Sequence, residues 1–207
     1  MSLTPMLKQY LEIKKQHADC FLFFRLGDFY EMFFDDAVKG AEILDIVLTS
    51  RGKNKGAPIP MCGVPYHSSQ SYINRLTQTG HKVAICEQVE DPAKAKGIVK
   101  REVTRIITPG TNLEDETHGA PQNHYIAALR ATDNQFGLAY VDLATGEFYL
   151  MEHTSSEQLI NHLSLISPTE LIAPQSSLDL PAIQTYVALH PKILCTAYEP
   201  WIFEIDH

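Results

Sequence analysis

The chain has 207 residues, 44% of them hydrophobic and 20% charged, which suits one large globular domain or two small ones. No apolar run approaches the ~18 residues of a membrane span, and Met1-Ser2-Leu3 is too short and polar an opening for a signal peptide. The net charge of −8 hides a division, with 15 Lys/Arg against 12 Asp/Glu in residues 1–110 but 2 against 13 in residues 111–207, so the first part can face a polyanion and the second suits a protein partner.

Thr4-Pro5 opens a predicted helix, an N-cap hydroxyl followed by proline at the first helical position. Met6, Leu7, Tyr10, Leu11 and Ile13 continue it as an apolar stripe to about His17. Cys20 to Leu26 is apolar on both sides and reads as a buried strand. Asp35-Asp36 starts a second helix that runs to Leu44, with acids at its positive end. Ile46 to Thr49 reads as a short strand, and Arg51 to Pro65, rich in Gly, Pro and Lys, as a long loop. A helix from Ser68 or Ser69 to Thr79 ends at Gly80. Lys82 to Gln88 is a strand, residues 91–97 a basic small-residue turn, and Arg101 to Thr108 another strand. Strands alternating with helices predict a mixed-sheet α/β domain with flanking helices over residues 4–110.

Residues 111–121 read as a linker, acidic at Glu114-Asp115-Glu116 and without apolar periodicity. The pattern then changes. Tyr125 to Ala131, Phe136 to Leu143 and Glu147 to Glu152 form a predicted meander with turns at Asp133-Asn134 and Ala144-Thr145-Gly146. A helix from Ser155 or Ser156 through Leu165 and a short strand Leu171 to Ala173 follow. Meander, helix, strand is the opening order of a ribonuclease-H-like α/β domain. Residues 122–207 stop short of completing one, so a truncated segment is expected. Cys20, Cys62, Cys86 and Cys195 are scattered, without a CxxC pair or Cys/His cluster, and read as buried reduced thiols of a cytosolic protein.

The most informative stretch is Gly27-Asp28-Phe29-Tyr30-Glu31. In an extended segment Phe29 and Glu31 point the same way. They would pair a flat apolar wedge with a hydrogen-bonding group, a tool able to enter a weakened base stack. Two duller readings compete. Seven of the fourteen residues from Phe21 to Phe34 are aromatic, so Phe29 can be a core ring. Asp28-x-x-Glu31 also fits a capping box for a helix starting at Phe29.

Thr4-Pro5-Met6, Gln9-Tyr10-Leu11 and Phe24-Arg25-Leu26-Gly27-Asp28-Phe29-Tyr30-Glu31 resemble the start of the bacterial MutS family of DNA mismatch-recognition proteins. Pro58-Ile59-Pro60-Met61, Gly63-Val64-Pro65-Tyr66-His67, Val83 to Gln88 and Thr108-Pro109-Gly110-Thr111 continue the resemblance in order. Residues 122–207 are more weakly similar to that family's connector domain, through Gly137, Asp142, Thr145-Gly146 and Pro168-Thr169-Glu170. The resemblance implies that Phe29 and Glu31 form a Phe-x-Glu mismatch reader on kinked double-stranded DNA with mispairs or small loops. It also implies a bacterial cytoplasmic, nucleoid-associated protein, homodimeric at full length, with a MutL-type repair partner on the connector. ATP and magnesium would belong to an ATPase domain outside this sequence. No G-x-x-x-x-G-K-[ST] motif is present here, so neither a cofactor nor a catalytic residue is expected in these residues.

Other charged residues fill out the expectation. Arg51, Lys53 and Lys55 on the Gly-rich segment, and Lys94, Lys96, Lys100 and Arg101 further on, are either phosphate contacts or a solvated face. His67 and Ser68, at a predicted helix N-terminus, are candidates for a phosphate site. Phosphate charge disfavours ionisation of a nearby acid. Glu31 is therefore expected to bind DNA protonated, donating to a ring nitrogen. Asp142, Glu147 and Glu170 raise an alternative, a metal-dependent nuclease on the ribonuclease-H-like sheet, and a protein-interaction scaffold is a further alternative. The scarcity of Lys/Arg after residue 110 argues against a phosphate substrate there.

Overall fold

The computed structural model describes residues 3–54, 56–90, 97–112, 124–133 and 135–204. The chain divides into two compact units, Met1–Ile107 and Thr108–His207. Both belong to the mixed α/β class expected from the sequence.

The first unit is a six-stranded mixed sheet in the order β3-β4-β2-β1-β5-β6. Its strands are β1 (Cys20–Leu26), β2 (Phe29–Phe33), β3 (Thr49–Asn54), β4 (Ala57–Pro65), β5 (Lys82–Gln88) and β6 (Arg101–Ile107). Helix α1 (Pro5–Gln16) covers one face, where Leu7 and Tyr10 pack on Leu22, Phe24, Phe33, Ile59 and Cys86. Helices α2 (Phe34–Leu44) and α3 (Ser69–Thr77) cover the other, against Phe21, Phe23, Tyr30, Met32 and Val83. β1 is apolar on both sides because both sides are covered. As predicted, the Thr4 hydroxyl caps α1, accepting from the Leu7 N–H at 3.4 Å. Asp36, in the first turn of α2, is 8% exposed. It accepts from the Tyr10 hydroxyl (3.2 Å) and the Leu22 N–H (3.0 Å) and pairs with Lys14 Nζ (2.9 Å). One carboxylate thus ties α1, β1 and α2 together. Burial and the Asp36 charge push the Tyr10 phenol well above its ordinary value. Burial likewise raises Cys62 and Cys86 to about 12 and Cys20 to about 11, so these thiols are inert packing groups.

Two expectations are corrected here. The segment expected to be a loop holds two antiparallel strands, Thr49–Asn54 and Ala57–Pro65, and 46–48 are irregular, with the strand beginning at Thr49. Proline misled the reading. Pro58 and Pro60 lie where β4 pairs only with β3, beyond its pairing with β2 over Met61 to Pro65. A residue without an N–H is tolerated in such a stretch.

The second unit is a five-stranded sheet in the order β11-β10-β7-β8-β9. β7 (Tyr125–Thr132), β8 (Gln135–Asp142) and β9 (Phe148–His153) form the expected antiparallel meander. Helix α4 (Ser156–Ile166) leads to β10 (Glu170–Pro174), which pairs parallel with β7. This is the meander, helix and returning strand of the ribonuclease-H-like reading. Beyond Ala173 the chain adds α5 (Gln175–Leu178), α6 (Pro181–Leu189) and β11 (Leu194–Tyr198), parallel to β10. Leu129, Leu138, Leu159, Leu163, Leu171, Ile183 and Tyr186 form the core. Residues 108–111 seat on this unit through Thr108 Oγ1, which donates to Glu170 Oε2 at 2.6 Å. Gly110 lies so close to β7 that an added Cβ would stand 2.3 Å from Ile126 Cγ1. Among the described residues, no helix is long and apolar enough to cross a membrane.

Candidate nucleic-acid interface

The site is built by the β1–β2 hairpin. Leu26 pairs with Phe29, leaving Gly27-Asp28 as a two-residue loop. Gly27 has φ +60 and Asp28 does not share the positive sign, the pattern of a type II′ turn. A glycine is needed there because β-carbon-bearing residues rarely take that conformation. The loop is fastened from below: Arg25 Nε donates to the Gly27 carbonyl at 2.5 Å and the Tyr66 N–H donates to the Asp28 carbonyl at 3.0 Å.

With the turn fixed, strand alternation sorts the next residues. Tyr30 and Met32 point into the core shared with α2 and α3. Phe29 and Glu31 point to the opposite face, at the end of the sheet beyond the α1 cluster. Phe29 is 47% exposed, in contrast to Phe23, Phe24 and Phe33, which are essentially closed to solvent. The core alternative for Phe29 does not hold, and neither does the capping box, since Phe29–Phe33 is strand. Tyr30 is the anchor beneath the pair. Its hydroxyl bonds Glu87, and burial together with that carboxylate raises the phenol to about 12.

Glu31 is flanked by Phe24 on β1 and Gly63 on β4. Arg51 Nη1 contacts both of its oxygens, at 2.7 and 2.6 Å. The arginine expected on phosphate therefore holds the acid expected on a base. Lys53 follows on the same edge strand and is exposed. Lys55, Lys94 and Lys96 lie outside the described residues.

Pro65 pairs with Phe29, so the chain leaving β4 begins its next element beside the exposed ring. That element is a single 3-10 turn, Tyr66–Ser68, before α3, rather than the helix start itself. His67 and Ser68 are both exposed on it. The Ser68 hydroxyl donates to the Pro65 carbonyl at 3.5 Å instead of capping α3. The structure thus gathers Phe29, Glu31, Arg51, His67 and Ser68 at one end of the first sheet.

Arg101 departs from the surface reading. It is 7% exposed, its guanidinium 4.9 Å from the Phe24 ring centroid, donating to the carbonyls of Arg25 (2.7 Å) and Val99 (2.9 Å). A planar donor fork that satisfies backbone carbonyls is a structural clamp. Lys100 stays at the surface, paired with Glu102 at 2.5 Å.

Sequence reasoning missed Arg25 and Tyr66. The Arg25 guanidinium lies 3.5 Å from the Tyr66 ring centroid and 3.6 Å from Glu87, directly behind the hairpin loop. The available signal was a lone cation inside the otherwise apolar run Cys20–Leu26.

The acids of the second unit are occupied otherwise. Asp142 is 1% exposed and its Oδ1 accepts from the Ala144 N–H at 2.9 Å, closing the β8–β9 turn. Glu170 accepts from Thr108, and Glu147 is exposed in the turn, its N–H donating to Thr145 Oγ1 at 3.2 Å. Among the described residues no three His, Cys, Asp or Glu side chains cluster to hold a metal ion. The nuclease alternative gains no support from this arrangement.

Residues 4–116 match the model of MutS domain I, and residues 124–207 that of MutS domain II. A DNA mismatch repair protein MutS from Geobacillus thermodenitrificans is 54% identical over 179 residues, 86% of this chain and 20% of the relative. The proteins of that name from Myxococcus xanthus and Desulfosudis oleivorans are 50% and 47% identical, over 90% and 93% of this chain. The chain spans 21% and 22% of those two relatives, about one fifth of their length.

Proposed function

This chain belongs to the MutS family, as its domains I and II, and we propose that its first unit is the part that senses mispairs and small loops in double-stranded DNA. The carrying observation is the exposed Phe29 ring standing beside Glu31 at the end of a rigid hairpin. Phe29 enters the stack at a weak step and stacks on one base. Such contact is worth about 1–3 kcal/mol and is tolerant of base identity, as a sensor of many mispairs requires. Selectivity then comes from the DNA, because a mispaired or unpaired base is cheaper to unstack and kink than a sound pair. Glu31 hydrogen-bonds the displaced base by donating a carboxyl proton to a ring nitrogen.

Backbone contacts fix the register without reading sequence. We assign this role to His67 and Ser68, which follow Pro65 beside Phe29, and to Lys53 farther along the edge strand; Arg51 joins them once it leaves Glu31, and Lys55, Lys94 and Lys96 are further candidates by their charge. The acidic second unit faces protein, a MutL-type partner being the candidate. The remaining length of a MutS protein would supply homodimer contacts and an ATPase with its ATP and magnesium, in the bacterial cytoplasm at the nucleoid.

The test is binding of the intact protein to a homoduplex and to the same duplex with one mispair. Phe29→Ala should abolish the preference for the mispaired duplex. Retention of that preference would overturn the assignment. Glu31→Gln should bind the mispair better than Glu31→Ala at neutral pH, and equal binding would remove the donor role.

A further inference from the structure

The Glu31–Arg51 pair has a geometry that a plain phosphate contact does not need. A single guanidinium nitrogen, Nη1, reaches both carboxylate oxygens at 2.6–2.7 Å. With both oxygens engaged, the acid cannot donate to a base. The two partners are unequal. The Glu31 side chain is 13% exposed and that of Arg51 49%, so the acid is enclosed and the arginine is the partner free to move.

The backbone under Arg51 is suited to that movement. The β3–β4 register shifts between Ser50 and Lys53, so Arg51 and Gly52 fall in a break of the ladder, on the edge strand of the sheet. Gly52 has φ +76 within that break. A guanidinium carries five N–H donors in a flat fork, and Nη1 supplies the contacts to Glu31.

We infer that Arg51 gates the base reader: it covers the Glu31 carboxylate in the DNA-free protein and releases it when a duplex phosphate takes the guanidinium. This rests on the reading of Phe29 and Glu31 as the mismatch reader. On matched DNA, where no base is displaced, Arg51 stays on Glu31. On mispaired DNA it transfers to the backbone, so the specific complex neutralises one phosphate more than the nonspecific one. Arg51 is a specificity-determining residue whose effect appears in salt dependence rather than in contact with the base.

The experiment measures affinity of the intact protein for matched and mispaired duplex across a salt series. Each neutralised phosphate adds about 0.9 to the slope of log affinity against log salt. The wild-type slope should be steeper on mispaired than on matched DNA by about one such increment. Arg51→Ala should erase the difference, and Arg51→Lys, keeping the charge, should restore it. Equal wild-type slopes would overturn the gate. So would an Arg51→Ala that lowers both slopes alike, which marks an ordinary contact present in both complexes. Phe29→Ala, measured alongside, separates the levels. If it keeps the mismatch preference, the reader assignment falls and the gate with it. If it loses the preference while Arg51→Ala lowers both slopes alike, the gate alone falls.

Discussion

The two units are built from the same materials and spend their charged groups differently. In the first, structural and exposed charges sit on separate elements. Asp36 and Arg101 are buried and satisfied by hydrogen bonds and ring contacts, while Arg51 and Lys53 are exposed on the edge strand β3 and His67 on the turn after β4. In the second, the acids that resemble a catalytic set are turn and joint pieces, Asp142 closing β8–β9 and Glu170 holding Thr108. A buried charge with every oxygen engaged rigidifies; a charge left at a sheet end is available to a ligand. Burial and partners, more than residue type, separate the proposed reading surface from the scaffold.

The largest effect should come from the scaffold of the first unit. Asp36→Ala takes the carboxylate from Lys14, which keeps only the Ala18 and Cys20 carbonyls, and removes a buried partner from the Tyr10 hydroxyl and the Leu22 N–H. Removing one member of such a buried set costs about 3 kcal/mol. For a unit of this size that lowers the melting temperature by roughly 12–24 °C. Thermal unfolding followed by circular dichroism checks it; a shift of only a few degrees would mean the carboxylate is not the tie between α1, β1 and α2. Phe29→Ala should do the reverse. A ring already 47% exposed contributes little to folding, so the melting temperature should hold while mismatch preference falls roughly 5- to 150-fold, the equivalent of about 1–3 kcal/mol of stacking. Should Phe29→Ala destabilise the unit as much as Asp36→Ala, the separation between scaffold and reader breaks down.

How much of this was legible beforehand depends on where the signal lived. Local signals carried β1, α1, β5, β7 and α4 nearly to the residue, because caps, continuous apolar runs and alternation are properties of neighbouring residues. The pairing of Phe29 with Glu31 was legible for the same reason: i and i+2 share a face in any strand. What failed was set by distant partners. Pro58 and Pro60 read as loop until the end of β2 is known to fall short of them. Arg51 and Arg101 carry equal charge in sequence, yet one lies half open on an edge strand and the other stacks on Phe24. Nothing near Arg101 in sequence announces Phe24 or Gln9, whose Oε1 accepts from it at 3.1 Å. The Arg25–Tyr66 contact that braces the hairpin loop spans forty residues and was invisible for the same reason.

The second unit gives the next test. Asp142→Ala removes the acceptor that holds the Ala144 N–H, at a site 1% exposed. The freed N–H belongs to exposed Ala144 and meets water, so the cost is that of one lost hydrogen bond, about 1 kcal/mol. The β8–β9 turn should loosen, measurable as faster amide exchange at Ala144 and Gly146. DNA affinity should not change, with or without magnesium. A loss of DNA binding or of a metal-dependent cleavage would place a functional acid in the unit that the comparison treats as scaffold.

The smallest effect separates contact from charge. Lys53 is exposed on the edge strand, two residues from Arg51, with its Cα partnered by Pro58. It touches none of the groups that position Phe29 or Glu31. Lys53→Gln should therefore weaken matched and mispaired duplex equally, by under about 1 kcal/mol, and flatten both salt slopes by about 0.9. That uniform loss is the signature of a positioning contact. It is the opposite of the unequal slopes expected when Arg51 is removed, although both residues are cations on one strand. If Lys53→Gln instead changed the mispaired slope alone, selectivity would belong to the whole basic strand, and the gate could not be assigned to the one arginine that covers Glu31.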